Sequence, residues 1–216
     1  MDPEQRSARA DAYESVRPEI VGLVPAGVRR VLDLGCSTGW LAGALKQRGE
    51  VEVVGIEREP AYAAVARERC DRVVVADVEE VPDGLGRFDC LVAADVLEHL
   101  VDPWRALEGY VRLLEPGCRA IVSLPNAAHW TTFAALARGS WPRKPEGIHD
   151  ATHLRWFTLR DAVELCEGAG LRVEHVERRP WLLWRGTRLD RHAGWAGPIS
   201  RLSPFTFQHV LAARRA

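Results

Sequence analysis

The stretch that most constrains this 216-residue chain runs from Val31 to Trp40, VLDLGCSTGW. A β-branched apolar run closes on an acid, passes through a glycine-spaced turn and enters an alanine- and leucine-rich segment of helical period. That pattern predicts a strand, a tight loop and a helix. Gly35 and Gly39 let the backbone approach a ligand and take φ values that a Cβ would penalise, and the following helix opens with N–H groups that have no partner inside the helix. The stretch predicts a cradle for a nucleotide-type cofactor.

Asp33 narrows the choice of cofactor. A dinucleotide turn carries G-x-G-x-x-G and holds a pyrophosphate at the helix N-terminus. Here Ser37 replaces the middle glycine, and the carboxylate two residues before Gly35 would repel a pyrophosphate. A ligand with positive charge is expected, such as S-adenosylmethionine with its ammonium and sulfonium. The stretch resembles motif I of the class I S-adenosylmethionine-dependent methyltransferases. That resemblance implies a Rossmann-like α/β fold, with a seven-stranded, mostly parallel sheet, helices on both faces and an antiparallel last strand. It also implies that Asp33, Gly35, Cys36, Ser37 and Gly39 bind the cofactor.

Later acids fall at successive strand ends. Val51–Ile56 reads as a strand ending in Glu57, where a doubly wound fold places an acid that accepts from two ribose hydroxyls. Arg58 would flank the adenine. Arg72–Ala76 leads to Asp77 and Val78, which resemble the family's adenine-binding pair; a helix cap is the other use for them. Phe88–Ala94, nearly all apolar, reads as a strand buried on both faces. It runs into Asp95-Val-Leu-Glu98-His99-Leu100, which resembles the D/E-V-L-E-H-L signature of many class I methyltransferases, at the mouth where the activated methyl group points. Asp95 is assigned to the cofactor. His99 is a candidate general base, while Glu98 serves the site or caps the next helix.

Residues 127–157 read as a loop-rich insertion. Trp130, Trp141 and Trp156 stand there with His129, His149 and His153, a composition suited to the wall of a pocket over a small polar acceptor or to a lid packed on itself. Within it, Gly147 to Thr158 resembles a G-x-x-D-x-T-H-L-R-F-F-T signature of a bacterial methyltransferase group associated with saccharide or secondary-metabolite tailoring. His149 departs from that pattern and is similar to the His-Asp pair of quinone-pathway O-methyltransferases. His153 is the second candidate base, and Asp150 orients it or touches substrate. No metal ligand set is assigned. An alternative reading has a divalent metal, because Asp95, Glu98, His99 and His153 or His149 are similar to the E-x-x-E-H cluster of small-RNA 2′-O-methyltransferases.

The remaining expectations concern organisation. The chain reads as one domain, 1–216, with a helical cover at 1–27 that includes Tyr13, and with insertions at 127–157 and 180–204. Helices are expected at Ala10–Leu23, Leu41–Arg48, Pro60–Arg69, Trp104–Leu114 and Leu159–Ala169. Further strands are expected at Arg119–Leu124, Leu171–Glu177 and Phe205–Ala213. The 180–204 link interleaves Trp181, Trp184 and Trp195 with arginines, which suits a satellite core or a homodimer contact better than nucleic acid.

A net charge of -1 names no polyanionic partner. Five cysteines without a C-x-x-C pair read as reduced thiols, and neither a secretory leader nor a membrane span is legible. A cytoplasmic enzyme is expected that transfers methyl from S-adenosylmethionine to an oxygen, or else a nitrogen, of a small polar metabolite. The rival readings are an RNA or quinone-type O-methyltransferase with a metal, a nucleotide-dependent oxidoreductase, and a non-catalytic cofactor-binding partner protein.

Overall fold

The computed structural model describes residues 17–180 and 203–216. The expected Tyr13 cover and the tryptophans of the 180–204 link lie outside the described residues. Seven strands form one sheet: β1 Arg30–Leu34, β2 Glu52–Glu57, β3 Arg72–Val75, β4 Phe88–Ala94, β5 Leu114–Pro125, β6 Leu171–Pro180 and β7 Thr206–Arg215. Their spatial order is β3-β2-β1-β4-β5-β7-β6. Strands β1 to β5 are parallel, and β7 runs antiparallel to both β5 and β6. This is the expected doubly wound sheet with its antiparallel last strand.

Residue parity along the strands divides the core into two clusters. Leu32, Leu34, Val54, Ile56, Leu91, Ala93, Val122 and Leu211 share one cluster. Val31, Val53, Cys90, Val92, Ile121 and Val210 share the other. The alternation arises because successive side chains point to opposite faces of a strand. The first cluster is covered by α4 (Pro103–Val111) and α6 (Leu159–Gly168) through Leu107, Tyr110, Leu165 and Cys166. The second is covered by α1 (Pro18–Leu23), α2 (Trp40–Lys46) and the end of α3 (Pro60–Ala66), through Ile20, Leu41, Leu45 and Ala66. Each fully buried aliphatic side chain contributes roughly 1.5–3 kcal/mol.

Local chemistry sets the helix ends. Pro60 and Pro103 occupy first turns, where a missing N–H costs nothing. The Asp102 side chain accepts from the Arg105 amide at 3.1 Å. Thr158 and Asp161 form a reciprocal capping box at the start of α6.

Several expected boundaries move. Strand β5 begins at Leu114, because Leu114 pairs with Phe88 before a bulge and the Pro116-Gly117 turn is carried within the strand. The insertion expected to be loop-rich contains a helix, α5 (Trp130–Ala137), capped by the His129 side chain, which accepts from the Thr131 amide. All five cysteines are free thiols. Among the described residues, no helix is long and apolar enough to cross a membrane.

His209 on β7 is buried, and neither ring nitrogen has a hydrogen-bond partner among the described residues. Burial, reinforced by Arg178, lowers its pKa to about 4. The unfolded chain therefore takes up this proton first as pH falls, and stability drops between about pH 6.5 and 4 at up to ~1.4 kcal/mol per pH unit. Urea melts of His209→Leu are expected to show stability at pH 7 no lower than wild type and a smaller loss on going to pH 5. An unchanged pH slope would contradict the assignment.

Candidate functional site

The carboxyl ends of β1, β2, β3 and β4 meet around the point where the strand order reverses, between β1 and β4, which is where open α/β sheets bind ligands. The loop after β1 is tightly determined. Gly35, Ser37 and Gly39 all have positive φ, at 66°, 49° and 77°. A Cβ on Gly35 would stand 2.9 Å from Val96 Cγ2, so this loop packs directly on the segment after β4. A Cβ on Gly39 would meet the Ala66 backbone at 3.2 Å. The Cys36 thiol fills the space over Gly55 of β2, which leaves the Cys36 backbone as its contribution to the cradle.

Glu57 ties the cradle together. One carboxylate oxygen accepts from the Ser37 amide at 2.9 Å, and the other accepts from the Glu59 amide at 2.8 Å. Asp77 accepts from the Glu79 amide at 3.0 Å and stands 3.6 Å from Arg58. Val78 is buried beneath it, and Arg58, with 79% of its side chain exposed, forms only a solvated pair.

Three polar atoms of the cradle are buried without partners among the described residues: Asp33 Oδ2, Ser37 Oγ and Thr38 Oγ1. Burial, followed by the neighbouring Cys70 and Glu57, raises the Asp33 pKa well above the carboxylate range. A cationic ligand with further hydrogen-bonding groups satisfies this set, whereas a pyrophosphate worsens it. S-adenosylmethionine fits on that ground.

Asp95 has a left-handed backbone, φ 55°, unusual for a residue other than glycine. Its carboxylate accepts from Ser123 Oγ at 2.7 Å and Gln208 Nε2 at 2.5 Å, and it forms an ion pair with Arg17. Arg17 also donates to Ser123 at 3.2 Å, Gln208 at 2.7 Å and Glu19 at 3.0 Å. Arg17, Ser123 and Gln208 are absent from the sequence-derived site. No local signal in the sequence points to them, because these contacts join residues far apart in the chain.

Beyond Asp95, a short 3₁₀ turn, Leu97–His99, presents Glu98 and His99 to the insertion. The Glu98 carbonyl accepts from the Leu154 amide at 2.8 Å and the Arg155 amide at 3.0 Å, which clamps the insertion onto the turn. His153 thereby lies with its ring 4.7 Å from that of His99 and its Nε2 3.9 Å from Glu98 Oε1. Potential ligand atoms of Glu98, His99 and His153 lie within 4.8 Å of one another.

Glu98 is buried, its Oε2 has no partner among the described residues, and burial followed by Asp95 raises its pKa well above the usual range. Burial, helped by His153, lowers the His99 pKa to about 4. The His153 Nδ1–H donates to the Ile148 carbonyl at 3.1 Å. Asp150 accepts from the Thr152 amide and hydroxyl at 2.8 and 2.7 Å. His149 sits under Trp141 and bonds Thr132 Oγ1 at 3.3 Å, outside the Glu98, His99 and His153 cluster. Trp141 and Trp156 meet edge to face at 5.1 Å and are 40% and 42% exposed.

Two outcomes follow from the cradle. Gly35→Val must adopt a strained φ and displace Val96, so calorimetry should show at least a ~10-fold loss of S-adenosylhomocysteine affinity with the fold retained. Burial raises the Asp33 pKa and a bound ammonium opposes that rise, so binding should favour the ionised carboxylate, release a proton and tighten as pH rises. Titrations at pH 7 in two buffers of different ionisation enthalpy should reveal that release in wild type and its absence in Asp33→Asn. Identical apparent enthalpies for wild type in both buffers would contradict the Asp33 account.

Comparison with known proteins agrees with this geometry. A family model described as a methyltransferase domain matches residues 6–176. A ubiquinone biosynthesis O-methyltransferase of Alkalilimnicola ehrlichii is 34% identical over 131 residues, 56% of this chain and 53% of that protein. The chain spans about half the length of the first curated relatives it matches. An S-adenosylmethionine-dependent methyltransferase from Mesorhizobium loti shares the fold with a TM-score of 0.65 at 21% identity, over 92% of this chain and 96% of that one. A magnesium protoporphyrin IX methyltransferase from Synechocystis with bound S-adenosylhomocysteine has a TM-score of 0.64 at 17% identity, over 100% of this chain and 89% of that one. The chain belongs to the methyltransferase-domain family, and it shares the Rossmann-like fold of solved S-adenosylmethionine-dependent methyltransferases.

Proposed function

We propose that this protein transfers the methyl group of S-adenosylmethionine to a hydroxyl oxygen of a small acceptor that carries a planar, apolar portion. The observation that carries the reading is the convergence of Glu98, His99 and His153 at the end of β4, on the segment against which the cofactor loop packs through Gly35 and Val96. The bound cofactor supplies an electrophilic methyl on a positively charged sulfur with a neutral leaving group. What the chain must add is alignment and removal of the hydroxyl proton.

Each residue then has a part. Asp33 and Arg17 would hold the ammonium and carboxylate ends of the methionine moiety, Glu57 the ribose, and Asp77 with the Val78 amide the adenine. His99 and His153 would meet the acceptor hydroxyl, and the half-exposed Trp141 and Trp156 would face its planar part. The likeness to the ubiquinone biosynthesis O-methyltransferase of Alkalilimnicola supports oxygen as the methylated atom and a quinone-type acceptor ahead of a saccharide.

A second reading adds a divalent cation. Two imidazoles and a carboxylate suit a zinc-, iron- or manganese-type ion, and Glu98 is a buried carboxyl with an unpartnered oxygen. A cation there would stabilise the ionised Glu98 and draw the acceptor hydroxyl toward its oxyanion form.

Methyl-labelled cofactor offered with a panel of phenols and catechols tests the first reading. A product should form, and His99→Ala/His153→Ala should lower its rate by ~10²–10⁴-fold while S-adenosylhomocysteine binding persists. An unchanged rate would remove the two histidines from the chemistry. Exhaustive chelation followed by readdition of Mn²⁺ or Zn²⁺ separates the readings: loss and recovery of transfer supports the cation, and unaffected transfer excludes it.

A further inference from the structure

Asp150, Thr152 and His99 form a chain of hydrogen bonds in which each proton has a determined place. Thr152 Oγ1 stands 2.7 Å from Asp150 Oδ1 and 3.1 Å from His99 Nδ1. A hydroxyl has one proton, and a carboxylate only accepts, so the Thr152 proton points to Asp150 and its oxygen is left to accept from the imidazole. The Thr152 carbonyl, 3.3 Å from the same Nδ1, also only accepts. The Thr152 amide donates to Asp150 Oδ1 at 2.8 Å, which closes a tight turn that holds the threonine in place. Both acceptors facing Nδ1 thus belong to one residue, and a second residue orients that residue's hydroxyl.

We propose that Thr152 is a positioning residue, whose hydroxyl, aimed by Asp150, keeps the His99 proton on Nδ1 and so reserves the Nε2 lone pair for the reacting side of the site. His153 meets the same requirement by a different route, through its Nδ1–H to the Ile148 carbonyl. Both rings are thus held with the proton on Nδ1, and the Nε2 of His153 stands 3.9 Å from Glu98 Oε1. In this arrangement Asp150 acts on His99 at one remove, instead of contacting it as the carboxylate of a carboxylate–histidine pair does. The catalytic consequence rests on the proposed role of His99 as a lone-pair donor, whereas the tautomer itself does not.

Long-range ¹H–¹⁵N correlation spectra of the full-length protein at pH 7.5, with ¹⁵N-labelled histidine and His99 assigned by substitution, read the tautomer without any acceptor. Wild type and Thr152→Ser should both show His99 protonated on Nδ1. Thr152→Val retains only the longer carbonyl contact, and its tautomer ratio should move roughly 2- to 10-fold toward Nε2–H. Asp150→Ala frees the Thr152 hydroxyl to donate, and should move the ratio in the same direction. A His99 spectrum unchanged in both Thr152→Val and Asp150→Ala would overturn the proposal. Methyl transfer is then measured on the same variants. A fall in kcat with unchanged cofactor affinity in Thr152→Val, rescued in Thr152→Ser, supports the proposal. A shifted tautomer with unaltered transfer would uphold the positioning by Thr152 and overturn the catalytic reading of His99.

Discussion

The carboxylate of Glu57 holding the Ser37 amide is the interaction on which the rest of the site depends. A loop with three residues at positive φ is costly unless its surroundings fix it, and here the end of β2 supplies that restraint from the neighbouring strand. The same loop leans on Val96 through Gly35, so one piece of backbone couples the cofactor cradle to the segment that carries Glu98 and His99. Parallel pairing of β1 with both β2 and β4 makes this possible, because it brings three strand ends to one edge.

The site combines two kinds of electrostatic stress. In the cradle, Asp33 is buried without a full set of partners and disfavours its own charge. At the β4 end, Glu98 does the same beside two imidazoles, of which His99 is held neutral. Buried groups of this kind cost stability, and positively charged ligands relieve that cost. The charge of Asp95, the residue that follows β4, is met by Arg17, Ser123 and Gln208.

What was legible in the sequence was what is local or periodic. Apolar runs mark the central strands, and the sequence alone predicts β4 at Phe88–Ala94, the bounds it has in the structure. The cradle was legible because Asp33 through Gly39 are consecutive and their backbone demands are written in glycine. Helix α5 is not legible because Trp130–Ala137 offers no continuous polar face to reveal a helical period, and several of its apolar side chains remain exposed. The start of β5 was hidden by a Pro-Gly pair that the strand carries through a bulge. Arg17, Ser123 and Gln208 were invisible for a different reason: they converge on Asp95 only through the β5–β7 pairing and the return of α1 across the sheet.

We propose that the chain's geometry selects a nucleoside cofactor with a cationic amino-acid end over a dinucleotide, through the buried Asp33 at the turn after β1. Calorimetric titration of the purified protein with S-adenosylhomocysteine and, separately, with NAD⁺ tests it most directly. The account predicts saturable one-to-one binding of S-adenosylhomocysteine and none of NAD⁺ at the same concentrations. Binding of NAD⁺ with no heat from S-adenosylhomocysteine would contradict it.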